Sequence, residues 1–145
     1  MTFLSRDIRD HLAGSTAITN DVSDKIYADF IPQGVQYEKA IVINDITNDP
    51  EHYLAGEAGI HTSQIQIDYW TDGTGGKAAV NTGSELIRNR LNGYKGQLGT
   101  GCHGSVRMIR NDSLATPPVD GSDRRPRRQS MDFEIIHTAD VPTFT

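Results

Sequence analysis

The sequence predicts an α+β domain: a small, mostly antiparallel β-sheet with helices packed on one face and long loops between elements. Three observations carry this. Two amphipathic helical stretches open the chain, a strand in the middle alternates cleanly, and a further amphipathic helix separates two pairs of strand candidates. With 145 residues the chain suits one domain and is short for two. Its 36% apolar content, with 14 glycines besides, is ordinary for a globular core and excludes a disordered or fibrous chain.

Taken in order, Leu4, Ile8 and Leu12 recur at i, i+4 and i+8 and predict a helix over 3–13, with Gly14 fitting the position just past its end. Ile18 and Val22 predict a second helix over 15–22. Ile26 and Tyr27 follow, then Pro32-Gln33-Gly34 reads as an extended or turn segment. Ile41-Val42-Ile43 centres a strand over 37–46, and Asn48-Asp49-Pro50 with Gly56 and Gly59 predicts a loop or hairpin connection. The clearest strand covers 60–70, where Ile65, Ile67 and Tyr69 alternate with Gln64, Gln66 and Asp68. A glycine-rich turn over 71–76 leads to a helix at 77–91 with Val80, Ile87 and Leu91 on one stripe. Asn92-Gly93 and the glycines at 96, 99, 101 and 104 predict a flexible connection, and 106–109 a short strand. Pro117, Pro118, Gly121 and Pro126 predict a long loop over 111–126, of a length that is usually functional or disordered. Met131, Phe133 and Ile135 share one face of a last strand over 129–137. The expected organisation is one domain over 1–137 and a flexible C-terminal tail over 138–145.

Charge is unevenly spread. The net balance is −5, but residues 1–60 carry −6, residues 61–130 carry +4 and residues 131–145 carry −3. An acidic chain is not a uniformly basic nucleic-acid binder. Opposite charge on two parts of one small domain suits head-to-tail self-association, although charge alone favours a mixed solvated surface. The single cysteine, Cys102, excludes an intrachain disulfide and a cysteine-rich zinc site. The N-terminal residues lack a signal-peptide apolar core, and Ala40-Ile41-Val42-Ile43 is far too short to span a bilayer. The expectation is a soluble protein made in the cytoplasm, with no membrane partner.

Few residues suggest chemistry. Asp72-Gly73-Thr74-Gly75-Gly76-Lys77 lies between strand and helix, where a phosphate loop would. Thr71 occupies the place of that motif's first glycine, and Ala78 stands where its magnesium-binding hydroxyl belongs. Cys102-His103 is no thiolate–imidazolium pair, because neighbours in extended chain point to opposite sides; a glycine-flanked turn is expected. His11, His52, His61 and His137 lack metal-binding spacing and read as isolated surface residues. No catalytic residue, metal or cofactor is expected. Asn111-Asp112-Ser113 matches a glycosylation triplet that has no meaning without secretion. The run Arg124-Arg125-Pro126-Arg127-Arg128 sets four guanidinium groups within five residues, suited to phosphate or to a carboxylate-rich protein surface.

In this order along the chain stand Asp24-Lys25-Ile26-Tyr27, Pro32-Gln33-Gly34, Leu54-Ala55-Gly56 with Gly59, and the strand Gln64-Ile65-Gln66-Ile67-Asp68-Tyr69-Trp70. Leu91-Asn92-Gly93-Tyr94-Lys95-Gly96 and Arg127-Arg128-Gln129-Ser130-Met131-Asp132-Phe133 complete the series. Through these pieces residues 3–137 resemble the bacteriophage tail-completion family, the tail-terminator or tail-to-head joining proteins of long-tailed phages. A long, acidic 111–126 loop and the residues after His137 depart from its pattern. The resemblance implies a structural virion protein, in the tail or neck of the particle, that forms a ring, commonly a hexamer. Such a ring caps the tail tube protein, meets the head connector, and lets double-stranded DNA through without sequence-specific binding. The acidic balance suits a conduit, since DNA carries one negative charge per ~1.7 Å of axis and a basic lumen would retain it. The expected assembly residues are Arg124, Arg125, Arg127 and Arg128. Their counterparts are Asp49, Glu51 and Glu57 of a neighbouring copy, or an acidic face of the tube or connector protein. Two other readings stand beside this one: a monomeric adaptor of unrelated role, and a nucleotide-binding enzyme using the 72–77 loop.

Overall fold

The computed structural model describes residues 4–54, 56–99, 102–115 and 125–139. Its elements, in chain order, are α1 (Leu4–Ala13), α2 (Thr16–Val22), β1 (Ile26–Ala28), β2 (Lys39–Tyr53), β3 (Gly56–Thr71), α3 (Gly76–Leu91), β4 (Lys95–Leu98), β5 (Cys102–Ala115) and β6 (Arg127–Thr138). The strands form one six-stranded sheet in the order β1-β2-β3-β6-β5-β4. Every pairing is antiparallel except β1 on β2, so the α+β class and the mostly antiparallel sheet hold.

Alternation builds the core. Ile41 and Ile43 on β2, Ile65, Ile67 and Tyr69 on β3, and Met131, Phe133 and Ile135 on β6 are buried in one cluster with Leu4, Ile8, Leu12, Ile18, Val22, Ile87 and Leu91 of the helices. Helix α3 approaches β3 closely because residue 83 is glycine: a Cβ there would fall 2.0 Å from Tyr69 Cζ. The Tyr69 hydroxyl in turn donates to Asp21 at the end of α2, and burial followed by that acidic partner pushes its pKa up. Helix α1 ends differently from the expected left-handed glycine, since Gly14 keeps negative φ. Instead the Arg90 guanidinium donates to the His11 carbonyl over 3.1 Å and satisfies the exposed end of the helix.

Of the loop or hairpin expected over 48–59 the structure takes the hairpin, and two stretches expected as loop or flexible connection are paired strand. Residues 48–53 continue β2, with Asn48 opposite Ser63 and Tyr53 opposite Gly56, and past Pro50 and His61 the hairpin is two-stranded. Pro50 is tolerated because this part of β2 is an edge, and bulges near Ile46 and Glu51 absorb the misfit. Residues 111–115 extend β5, with Asn111, Asp112 and Ser113 opposite Met131, Ser130 and Gln129, while 116–124 lie outside the described residues. Polar side chains mask this strand from a hydrophobicity pattern. Likewise the glycine-rich connection holds β4, which pairs with the start of β5 around Gly96 and Gly104. At the C-terminus β6 still pairs Thr138 with Ile60, and 140–145 lie outside the described residues.

Candidate assembly interface

The outer strand partners stop before β2 and β3 do. On one side β1 pairs only with Ile41, Val42 and Ile43; on the other β6 reaches no farther than Ile60. From Asn44 to Pro50, β2 is therefore an edge strand on a β3 that still carries β6. Only past Pro50 and His61 do β2 and β3 run on without a third strand; this edge and its short two-stranded tip form an arm over 46–57. It carries Ile46 at 50% exposure, Tyr53 at 72% and a fully exposed Leu54. Asp49 and Glu51 are exposed on it, and no lysine or arginine occurs anywhere from residue 40 to residue 76.

A polar network occupies the arm's root. His61 Nδ1 lies 2.5 Å from Asn48 Oδ1, and its Nε2 lies 2.5 Å from Glu57 Oε1. Ser63 Oγ sits 3.2 Å from the same Asn48 oxygen and 2.7 Å from His137 Nε2. His137 Nδ1 donates to the Thr138 carbonyl over 3.1 Å, which leaves Nε2 to accept from the Ser63 hydroxyl. Burial, with the nearby His61 adding to it, lowers the His137 pKa. Glu57 is therefore turned back into the fold, unlike Asp49 and Glu51. His11, His61 and His137 are all buried rather than surface residues. Parity reveals the last two: His61 and Ser63 share a face with Ile65, and His137 shares one with Ile135.

The arginine run sits at the opposite end of the sheet. Arg127 pairs with Thr71 and Arg128 with Trp70, while Ile60 and Thr138 mark the arm end. The twelve residues of β3 between these limits span about 36 Å at ~3.3 Å per residue. Arg125 is exposed, Arg127 and Arg128 are half-buried on alternate faces, and Arg124 lies outside the described residues. The Arg128 guanidinium stacks over Trp70, 5.2 Å from the ring centroid. Leu114, opposite Arg128 on β5, is 42% exposed and adds apolar surface to this end. Nearby, Asp68 is buried with one carboxylate oxygen unpartnered. Burial raises its pKa, although the Ser130 hydroxyl and Arg128 pull it back.

The remaining motifs hold no reactive geometry. In the turn at 72–77 Asp72 Oδ1 accepts from the Thr74 N–H over 2.9 Å, so a carboxylate occupies a donor that a phosphate cradle would offer. The Cys102 thiol points inward toward Asp7, while His103 is exposed. Burial and then Asp7 push that thiol up to about 11, keeping it protonated and unreactive. Among the described residues no group of three His, Cys, Asp or Glu could hold a metal, and no helix is long and apolar enough to cross a membrane.

The acidic arm and the arginine cluster thus stand at opposite ends of one sheet. The chain belongs to the family of tail completion protein gp17, whose model matches residues 6–138. As a member it is a structural component of a phage tail, located in the virion at the tail or neck. Its fold is shared with a chain of the structure titled "Virion of native gene transfer agent (GTA) particle". The two are 17% identical with a TM-score of 0.71, and the match covers 94% of this chain and 95% of the other. No curated relative matches the chain.

Proposed function

We propose that this protein is a tail terminator: copies close into a ring, six in the arrangement the resemblance implies, cap the finished tail tube and join it to the head connector. Its role is structural rather than catalytic, and DNA threads the ring without sequence-specific contact. The assembling unit is the domain over 1–137. In this reading the three helices gather on one face of the sheet, so the Gln64, Gln66 and Trp70 face and the two sheet ends are left for neighbours.

The observation that carries this reading is the placement of an acidic arm and an arginine cluster at opposite ends of one sheet. Surfaces that differ and complement one another make heterologous contacts, which close into rings when the rotation allows. Size exclusion with light scattering, with and without isolated tail tubes, tests it together with class-averaged electron micrographs. A closed ring, free or on the tube end, is the expected result. A protein that stays monomeric in both settings would overturn the proposal.

A further inference from the structure

We infer that the β2–β3 arm is a clasp between copies: its tip seats on the arginine end of the next copy's sheet, with Asp49 and Glu51 against Arg125 and Arg127 and with Tyr53 and Leu54 against Trp70 and Leu114. The inference rests on the ring reading and assigns the contact that closes it.

The arm's construction is the first support. Past Pro50 and His61 the arm is a two-stranded ribbon with no third strand, which is marginal in water. The ribbon nonetheless displays Tyr53 and Leu54 at its tip, side chains that gain by leaving solvent. It is not a slack loop, because the Glu57–His61–Asn48 contacts and the Ser63–His137 bond brace its root and two bulges set its bend. A braced, bent, apolar-tipped ribbon is aimed at something.

Charge names the target. The arm is acidic and lacks any cation, so its own chain supplies no partner within it. Along β5 the arginines are committed, Arg107 to Glu134 at 3.0 Å and Arg110 to Asp112, and at the far end of the sheet Arg128 stacks on Trp70. Arg125 and Arg127 form no ion pair with any described carboxylate. Beside them the half-buried Trp70 and the exposed Leu114 offer apolar surface for Tyr53 and Leu54. The sheet separates arm and seat by its full length, so one copy does not satisfy itself through them and the next copy in a ring does.

The test is a pairing of half-sites. Glu51→Cys and Arg125→Cys are made in separate chains, each also carrying Cys102→Ser, mixed, assembled on tail tubes and oxidised. A disulfide-linked pair containing one chain of each kind is expected, with no linked pair from either chain alone. In parallel, Asp49→Lys with Glu51→Lys should lower assembly at least about tenfold, and adding Arg125→Glu with Arg127→Glu to the same chain should restore most of it. Rings that form without the mixed disulfide, or that tolerate the reversed arm, overturn the clasp and leave the terminator reading standing. A reversed arm that forms normal rings but releases the tube reassigns the arm to the tube protein and also overturns it. Wild-type protein that never associates overturns both.

Discussion

Strands β2 and β3 each lead two lives. Over His61–Thr71, β3 is paired on both sides and drives Ile65, Ile67 and Tyr69 into a helix-covered core. Over 56–57 it pairs with β2 alone, Gly59 accepts from the Ala139 N–H, and the tip it shares with β2 is bare. In the body, strand structure follows from burial, since each inward side chain removes apolar area from water. The arm has no such reward, and its order comes from ladder bonds and the braced histidine root. The body therefore answers for stability, and the arm for contact with something else. The two regions should fail in different assays.

The largest effect belongs in the body. Phe133 has no exposed surface and lies opposite Ile65 and Met108 on the neighbouring strands. Phe133→Ala should cost about 4 kcal/mol, seen as a lower urea midpoint at unchanged slope. Overpacking comes next. Because the Tyr69 ring already fills the space over residue 83, Gly83→Ala should cost about 2–3 kcal/mol in the same measurement. A neutral outcome would mean that α3 slides off β3 freely, against the contact that defines the body.

Acid should separate the regions less strongly. Burial lowers the pKa of His11, with Arg90 adding to it, and of His137. The unfolded chain then takes up protons first, so stability falls as pH drops through about 6.5 toward the lowered folded values. Asp68 has the opposite sign, because its raised pKa eases the fold as pH drops through it toward 3.8. Urea midpoints from pH 7.5 to 5 should decline less steeply in His137→Gln than in wild type; parallel curves would count against the buried neutral imidazole.

Smaller still is the global effect expected at the root. His61→Ala removes the link between Asn48 and Glu57 and should cost about 1 kcal/mol. Its main signature is local: amide exchange across residues 47–62 should accelerate while that of 129–135 stays nearly unchanged.

How much of this was legible in the sequence follows the same division. Elements that bury one face announced themselves, as Ile65-Gln66-Ile67-Asp68-Tyr69 and Met131-Asp132-Phe133 show. At the arm the sequence supports a loop or a hairpin connection alike, because Asn48, Asp49, Pro50, Gly56 and Gly59 are turn formers and a solvent-exposed ribbon has no apolar rhythm to decide between them. Residues 111–115 carry no strand signal for a related reason: their strand is set by the register of β6, not by their own pattern. At the candidate interface, the arginine run and the acidic character of 45–57 were visible as composition. Their placement at opposite ends of the sheet was not, since it depends on strand order. The inward turn of Glu57 onto His61 was hidden too, although parity with Ile65 points His61 inward.

The smallest expected change in stability is at the tip, where the comparison is sharpest. Tyr53 and Leu54 are more exposed than any other large apolar side chains among the described residues, and substitutions at such sites usually stay within about ±0.5 kcal/mol. Tyr53→Ser with Leu54→Ser should therefore melt like wild type and keep its circular dichroism. If the tip seats on Trp70 and Leu114 of the next copy, the same variant should assemble on tail tubes several-fold less well, and added salt should not recover it, because the lost contact is apolar. The charge-reversed arm should differ in salt dependence, since its like-charge repulsion against Arg125 and Arg127 is screened as salt rises. A tip variant that destabilises the monomer would show that the arm folds back onto its own body. One that leaves both stability and assembly intact would reduce Tyr53 and Leu54 to incidental surface and leave the clasp to charge alone.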